Sequence, residues 1–280
     1  MPALRQPALA IQGIGQVIKT RALPYLGGKA RNVGEWINSN LPPPHARQHY
    51  TEPFAGMLGV MRRRAPAGLE WASDIDGHVV NWWRMVRDRG QELDAALERT
   101  PHAEAEWKRA RTELNDPDPL RRAINFAIVM LHSYGSNTRS STFVRSKLMT
   151  PPRIDGLRKR MANVILIDEP AEKLLERIVD RSQRETLASW EHLVYCDPPY
   201  PSAKSTDHYQ YSVIDIPKIS ELLLAISGPV AISGYGSEWD HLGWRCEEFV
   251  TRTDLSSQRQ SIPRTEKLWC NFPPIQARLW

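Results

Sequence analysis

Residues 192–200 read HLVYCDPPY, and this stretch decides how the rest of the chain is interpreted. Its first five residues are mostly apolar, which predicts a short buried strand. Asp197 follows the strand at once, and the two prolines after it stiffen the backbone and remove two N–H donors. A carboxylate, rigid carbonyl groups and the ring of Tyr200 suit a planar base with an amino group, whose N–H groups need acceptors. The candidate catalytic residues are therefore Asp197, Pro198, Pro199 and Tyr200; a plain proline turn is the alternative interpretation.

A glycine-containing turn follows an earlier extended run at residues 50–54. Residues 52–59 read EPFAGMLG, and glycine at such a turn lets a ligand approach the backbone closely. No GxGxxG sequence occurs, so the turn is not a dinucleotide-binding fingerprint. By itself the motif is equally consistent with an ordinary glycine turn.

An acidic residue ends the next predicted strand, residues 69–73. Asp74 lies about 20 residues beyond the glycine turn, a position from which an acid can bind ribose hydroxyls in nucleotide-binding folds. Asp76 is a second candidate for that role. Equally, Asp76 can be the N-cap of a helix that contains Val79.

A Gly-Gly-Lys sequence precedes the first predicted helix. Residues 25–29 read YLGGK, and Val33, Trp36 and Ile37 then recur at helical spacing. The N–H groups at the start of that helix, together with Lys29, favour a carboxylate ligand. A surface turn of the same composition is the alternative interpretation.

Predicted strands and helices alternate along the chain. Further strands are predicted at residues 164–167, 230–233 and 267–272, and further helices at 79–87 and 171–189. This alternation predicts an α/β fold with a mainly parallel, doubly wound sheet. Ligands bind at the carboxyl ends of strands in such sheets, which is where the acidic and glycine motifs fall.

Positive charge concentrates in the middle of the chain. Residues 99–162 hold 13 Lys or Arg and 6 Asp or Glu, a formal charge of +7, which leaves −2 for the remainder of a chain whose total is +5. The stretch is mostly helical in pattern, with a turn at 115–119 and a polar loop at 132–153. It predicts a surface for a polyanion, although a solvated helical face would show the same pattern.

The cysteines and the N-terminus bear on the compartment. Cys196, Cys246 and Cys270 are far apart and form no C-x-x-C, which favours a reducing compartment and argues against a disulfide framework or a zinc site. Residues 1–20 have the pattern of a surface leader without a signal-peptide core, and no apolar run is long enough to span a membrane. The sequence predicts a cytoplasmic protein (in the host cytoplasm if a phage encodes it) that needs no metal and is monomeric by default.

Together these motifs resemble the Dam-like, alpha-type family of DNA adenine-N6 methyltransferases. That family has an aromatic-x-Gly-Gly-Lys sequence, then Glu-Pro-Phe-x-Gly, then Asp-Ile-Asn or similar, a recognition insert, and finally Asp-Pro-Pro-Tyr. The chain has these motifs in the same order over residues 23–90 and 190–272, and residues 266–272 also resemble the family's late strand. It departs from the pattern at 57–59, where MLG replaces a small-residue turn, and at Asp76, where the family often has Asn.

The resemblance implies a Rossmann-like methyltransferase sheet with a mostly helical target-recognition insert. Residues 1–98 and 163–280 would form the two parts of the catalytic domain, and the basic residues 99–162 would form the insert. The cofactor would be S-adenosylmethionine. The residues expected to bind it are Tyr25, Gly27, Gly28, Lys29, Glu52, Pro53, Phe54, Gly56, Asp74, Ile75 and Asp197.

The same resemblance implies that double-stranded DNA is the partner. Asp197 and Pro198 would hold the amine of an adenine flipped out of the duplex, with Tyr200 stacked on the base. Basic side chains of the insert would contact phosphates, and the loop 133–147 would contact base edges. The candidate DNA-binding residues are Arg121, Arg122, Asn137, Arg139, Arg145, Lys147, Arg153, Arg158, Lys159 and Arg160, with Tyr209 and Tyr211 as possible caps on the flipped base.

Other activities fit parts of the pattern. A cytosine-N4 methyltransferase also methylates an exocyclic amine, but such enzymes more often carry Ser where this chain has Asp197. A cytosine-C5 enzyme needs a Cys nucleophile, usually after Pro, and the chain has no Pro-Cys pair. An RNA or protein substrate stays open at this point, as does a catalytically inactive DNA-binding relative, against which the intact Asp74 and Asp197 argue.

Overall fold

Seven strands form one mixed sheet at the centre of the molecule. The computed structural model describes residues 21–25, 29, 31–145, 150–184, 191–199, 214–254 and 261–275, and the structural statements below concern these residues. The strand order is β3-β2-β1-β4-β5-β7-β6; the first five strands of the chain run parallel, β7 is antiparallel to β5, and β6 is antiparallel to β7. The strands are β1 (His49–Glu52), β2 (Leu69–Asp74), β3 (Val164–Asp168), β4 (His192–Cys196), β5 (Val230–Gly234), β6 (Arg245–Asp254) and β7 (Ser261–Cys270).

Eight α-helices accompany the sheet within the described residues. Five of them, α2 to α6, lie between β2 and β3 in the chain. The helices are α1 (Arg31–Asn40), α2 (Gly77–Asp88), α3 (Gly90–Arg99), α4 (Glu104–Thr112), α5 (Pro119–His132), α6 (Ile154–Met161), α7 (Ala171–Arg184) and α8 (Ile216–Ala225).

The centre of the sheet is buried on both faces, as the completely buried strands β4 (HLVYC) and β5 (VAISG) show. Successive side chains of a strand point to opposite faces. In β4, Leu193 and Tyr195 belong to the larger core, which α1, α2, α5 and α6 also line. Val194 and Cys196 belong to the core on the other face, with residues of α7 and α8. The predicted Rossmann-like, doubly wound sheet is therefore confirmed.

Most predicted elements are confirmed to within a few residues, and the main differences lie at the antiparallel edge. The strand predicted at 267–272 is only the second half of β7, which begins at Ser261. Its partner β6 was not predicted, because its sequence RCEEFVTRTD is polar and lacks the apolar run of a central strand. Helix α8 was also not predicted; Pro217 lies in its first turn, where no N–H is needed, and Asp215 caps it by accepting from the Lys218 N–H at 2.9 Å.

The helices of the basic stretch share the core of the sheet. Phe126 and Met130 of α5 and Leu157 of α6 are buried in the same cluster as Trp82 of α2. The predicted turn at 115–119 separates α4 from α5, and Asp118 caps α5 through the Leu120 N–H at 3.0 Å. The division into residues 1–98, 99–162 and 163–280 stays a prediction, but the middle stretch is packed against the catalytic sheet.

The loop 132–153 has more order than its sequence predicts. His132 and Val144 are joined by a backbone hydrogen bond of 2.8 Å, and Ser133 and Phe143 form an antiparallel bridge. The hairpin so formed has left-handed backbone at Gly135 and Ser136. Residues 146–149 and the predicted leader, residues 1–20, lie outside the described residues.

Two absences hold for the described ranges. None of their helices combines the length and the apolar composition that crossing a bilayer requires. Among the same residues, no three side chains of the metal-binding types come together as a site.

Candidate active site

Two acidic side chains, Asp74 and Asp197, lie at the carboxyl edge of the parallel strands. Strand β1 lies between β2 and β4, and Thr51 pairs with both Trp71 and Val194. Asp74 and Asp197 each come three residues after those partners, so both project just beyond the same edge. The strand order reverses between β1 and β4, which is the switch point where doubly wound sheets bind ligands.

Asp197 is held by two partners from other elements. The Lys29 ammonium lies 2.7 Å from its Oδ1, and the Ser233 hydroxyl donates to the same oxygen at 3.0 Å. The Tyr195 hydroxyl in turn forms a 2.9 Å hydrogen bond with the Ser233 hydroxyl. Because Tyr195 and Ser233 are fully buried, this chain of contacts fixes the direction of the carboxylate.

Lys29 is a buried cation between two carboxylates. Its Nζ lies 2.7 Å from Asp197 and also 2.7 Å from Oε1 of Glu266, and only 6% of the residue is exposed. Burial by itself would lower the pKa of Lys29, but the charges of Asp197 and Glu266 outweigh it and hold the pKa above its ordinary value. The expected partner of Lys29 was a ligand carboxylate. The structure shows side-chain carboxylates instead, so the cofactor role of Lys29 stays a prediction.

The turn after β1 packs directly on Lys29. A Cβ atom at Gly59 would lie 2.9 Å from the Lys29 Cβ, closer than real Cβ contacts allow. The buried Leu58 just before it has a positive φ of 49°, which costs energy for a branched side chain. The unusual MLG sequence therefore forms a tight turn whose glycine makes room for the lysine.

Asp74 orders the same turn from the neighbouring strand. Its Oδ2 accepts from the Gly56 N–H at 2.8 Å and its Oδ1 accepts from the Asp76 N–H at 2.9 Å. The indole N–H of Trp83 donates to the Gly56 carbonyl at 2.8 Å, so Gly56 is held on both sides. Burial raises the pKa of Asp74 to about 6, against the lowering effect of these hydrogen bonds. Its binding of ribose hydroxyls stays a prediction.

Asp76 is the N-cap of α2. Its side chain accepts from the His78 N–H at 2.9 Å, and its backbone is extended. Of the two roles considered for Asp76, the structure confirms the helix cap.

Glu52 is a buried acid behind the turn. Only 2% of it is exposed, and its Oε1 accepts from the Tyr50 hydroxyl at 2.7 Å and from the Met61 N–H at 2.6 Å. Burial raises the pKa of Glu52 to about 8, with the Tyr50 and Met61 hydrogen bonds opposing it. The contacts of Glu52 with Tyr50 and Met61 brace the turn.

The remaining expected site residues are either described by the structure or lie outside its described residues. Tyr25, Phe54 and Pro199 are partly buried, Pro53 and Pro198 are buried, and Ile75 exposes 41% of its surface at the end of β2. A Cβ atom at Gly56 would lie 3.6 Å from the Tyr25 ring, so that ring borders the turn. Gly27, Gly28, Tyr200, Tyr209, Tyr211 and Lys147 lie outside the described residues.

Most candidate DNA-binding side chains are exposed and weakly paired. Side-chain exposure is 74% for Arg121, 76% for Arg145 and 65% for Lys159, whose acidic partners lie at 3.9, 2.6 and 2.7 Å. Such exposed pairs are worth at most about 1 kcal/mol, so a phosphate can replace the acid. Arg139 and Arg153 are also exposed, and Arg158 is partly exposed and 3.2 Å from Asp155.

Three other candidates have structural contacts. Arg122 donates to the Asn81 side chain at 3.2 Å. Asn137 accepts from the N–H groups of Arg139 and Ser140, which closes the hairpin tip. The prediction for Arg160 is wrong: it is buried, forms a two-point ion pair with Glu70 at 2.5 and 2.8 Å, and donates to the Met61 carbonyl at 2.8 Å.

Sequence reasoning missed Glu266, Ser233 and Tyr195 as parts of this site. Ser233 and Tyr195 lay inside predicted strands, and no sequence motif marks a polar side chain there as part of a site. Glu266 had one usable signal, because it is an acid at an inward-facing position of β7, in line with the buried Leu268 and Cys270.

Comparisons with known proteins identify the family of the chain. Residues 25–250 match the model of the family described as D12 class N6 adenine-specific DNA methyltransferase. DNA adenine methylases of Salmonella typhi and Salmonella typhimurium are each 25% identical to this chain, over 91% of its length and 96% of theirs. Among solved structures, a SAM-dependent methyltransferase from Agrobacterium tumefaciens has a TM-score of 0.39 and 12% identity, over 94% of this chain and 72% of that one. The family match includes Lys29, Asp74 and Asp197 and ends before Glu266.

Proposed function

Because the chain belongs to the D12 class of N6 adenine-specific DNA methyltransferases, we propose that Asp197 and Pro198 hold the amino group of the target adenine during methyl transfer. The chain is an S-adenosylmethionine-dependent enzyme that methylates N6 of adenine in DNA. Membership of this family favours adenine N6 over the alternatives that the motifs left open, which were cytosine N4, an RNA or protein substrate and an inactive relative. The observation that carries the proposed site is the carboxylate of Asp197, held by Lys29 and Ser233 at the switch point of the sheet.

The residues at the sheet edge suit S-adenosylmethionine. Asp197 and Glu266 together with Lys29 leave an excess of negative charge, which favours a ligand that carries a cationic sulfonium. Gly56 has a left-handed backbone and no side chain, which leaves room for a ligand to approach the turn closely. The partly exposed Ile75 adds an apolar side chain at the end of β2. We infer that Tyr25, Phe54, Gly56, Asp74 and Ile75 surround the cofactor.

When bound, S-adenosylmethionine supplies an electrophilic methyl group on a sulfonium. The chain's task is to position the adenine nitrogen and to stabilise the positive charge that grows on it. Asp197 accepts one N–H of the amine and the Pro198 carbonyl accepts the other, which sets the direction of the nitrogen. Because Lys29 and Ser233 already orient the carboxylate, little reorganisation is needed as the charge develops. The proton leaves to solvent afterwards.

The basic middle stretch supplies the DNA interface in this proposal. An adenine inside a duplex cannot reach Asp197, so the enzyme must flip it out at a cost of a few kcal/mol, and phosphate contacts must hold the duplex meanwhile. Exposure supports Arg121, Arg139, Arg145, Arg153 and Lys159 in this role, and the ion pairs of Arg121, Arg145 and Lys159 are exposed enough to be exchanged for phosphates. In this proposal the hairpin that begins at Ser133 contacts base edges, and Asn137 shapes its tip.

The salt dependence of DNA binding tests this interface. Arg121→Ala is expected to lower the slope of log K against log salt by about 1, because one phosphate contact and its released counterion are lost. The measurement is fluorescence anisotropy with a labelled duplex at several salt concentrations. Arg177→Ala on α7, whose side chain is 57% exposed, is the matched control and should keep the wild-type slope. Equal slopes for Arg121→Ala and the wild type would remove Arg121 from the interface.

Product analysis tests the function as a whole. Duplex DNA incubated with the protein and isotopically labelled S-adenosylmethionine should yield labelled N6-methyladenine in a nucleoside digest analysed by mass spectrometry. N4-methylcytosine, or label incorporated only into RNA, would contradict the assignment. Sequencing the methylated DNA with modified bases detected at each position would then identify the recognition site.

We further propose that the enzyme acts as a monomer on double-stranded DNA. In the described part of the site, one chain supplies all the side chains that would contact the target base and the methyl donor. Its place of action is then the compartment that holds the DNA, the cytoplasm of a bacterium or of a phage-infected host.

A further inference from the structure

We propose that Glu266 is a positioning residue for methyl transfer, which shares the Lys29 ammonium with Asp197 and thereby preserves the negative charge that Asp197 presents to the target amine. This inference rests on the proposed role of Asp197. It concerns a residue beyond residues 25–250, which the family model matches.

Glu266 occupies a core position. It is 2% exposed and lies on the same face of β7 as Leu268 and Cys270, which belong to the larger hydrophobic cluster. A carboxylate in such a place is stable only when it is paired and hydrogen-bonded. The Lys29 ammonium, 2.7 Å from Oε1 of Glu266, supplies such a pair.

The position of Glu266 follows from the antiparallel pairing of β5 and β7. Ser233 pairs with Leu268, and Gly234 pairs with Lys267, so Glu266 lies just past the carboxyl end of β5. Ser233, which donates to Asp197, therefore comes from the neighbouring strand of the same edge. Strands β4, β5 and β7 thus bring Asp197, Ser233 and Glu266 to one place, with Lys29 between the two acids.

The charges of the three ionic groups explain what Glu266 contributes. Lys29 and Asp197 alone would form a neutral pair in which the ammonium offsets most of the carboxylate's field. With Glu266 at the same 2.7 Å, the ammonium is shared between two carboxylates, so it offsets less of the field of Asp197. In a water-poor site that field stabilises the positive charge that grows on the amine nitrogen. A neutral residue at 266 would remove this competing carboxylate and strengthen the pull of the ammonium on Asp197.

Glu266→Gln tests this inference, because glutamine keeps the size and an acceptor oxygen for Lys29 but removes the charge. We expect kcat to fall about 10-fold to 100-fold, less than for loss of a group that touches the substrate, with KM for DNA unchanged. Glu266→Asp restores the charge and should recover part of kcat. Glu248→Gln on β6, an exposed glutamate 3.5 Å from Lys267, is the matched control and should behave as wild type.

A binding measurement adds a readout that does not depend on turnover. S-adenosylmethionine carries a cationic sulfonium and S-adenosylhomocysteine a neutral sulfur, so calorimetry on the two ligands reports the charge of the site. Glu266→Gln is expected to weaken binding of the cationic ligand more than binding of the neutral one.

The outcomes separate this inference from the function it rests on. A Glu266→Gln variant with wild-type kcat, while Asp197→Asn is inactive, would overturn the role of Glu266 alone. Equal losses of kcat and of thermal stability in Glu266→Gln and Glu266→Asp would show a merely structural role and would also overturn it. Full activity of Asp197→Asn would remove both proposals.

Discussion

Replacing Asp197 with asparagine is expected to lower kcat for methyl transfer to DNA by about 10²-fold to 10³-fold. The amide keeps the shape of the side chain and can still accept from Lys29 and Ser233, which contact Oδ1 in the structure. It loses the negative charge that stabilises the developing positive charge on the amine nitrogen. Its NH₂ group would also face donors on the adenine where the carboxylate offers only acceptors.

Initial rates of label transfer to duplex DNA at saturating S-adenosylmethionine measure this effect. Asp88→Asn is the matched control, since Asp88 is an exposed acid of α2 that forms an ion pair with the neighbouring Arg87. Unchanged thermal unfolding of Asp197→Asn would show that the loss is catalytic. A kcat within a few-fold of wild type would exclude Asp197 from amine recognition.

Replacing Arg160 with methionine is expected to destabilise the protein by about 3–5 kcal/mol, the usual cost of removing one partner of a buried ion pair. Arg160 and Glu70 are each 2% exposed in their side chains and are joined by two N–H donations. Without Arg160 the Glu70 carboxylate stays in the core without its cation, and the Met61 carbonyl loses a donor. Such a loss is a large part of the 5–15 kcal/mol by which a typical domain is stable.

Urea unfolding measures this prediction. Lys159→Met is the matched control at the next position, because Lys159 is exposed and its pair with Asp155 is expected to contribute at most about 1 kcal/mol. The double variant Arg160→Met with Glu70→Leu should recover part of the loss, since no unpaired charge is left in the core. If Arg160→Met were no less stable than Lys159→Met, the ion pair would not stabilise the fold.

The position of Arg160 links stability to the site. It donates to the carbonyl of Met61, and the N–H of Met61 donates to Glu52 below the turn that packs on Lys29. The basic stretch is therefore tied to the turn by a buried charge as well as by apolar packing. Variants of Arg160 that stay folded should show weaker cofactor binding along with lower stability.

Local patterns were sufficient for the parallel part of the fold. The apolar run before Asp197 predicted β4 within its observed bounds, and the strands around Asp74 and at residues 164–168 were also found. Strands buried on both faces, such as β4, carry an apolar run that a short window detects. β6 lies at the edge of the sheet, has no such run, and was missed for that reason.

Local sequence patterns were enough to predict the alternation of strands and helices, the acids that end β2 and β4, and the resemblance to adenine-N6 methyltransferases, because each depends on residues close together in the chain. The partners of those acids became visible only in the folded molecule. Folding brought Lys29 between Asp197 and Glu266 and buried Arg160 against Glu70, pairs that no spacing reveals. Side chains so distant in sequence meet only when the sheet is assembled, and the assembled packing determines whether a charge faces water or another charge.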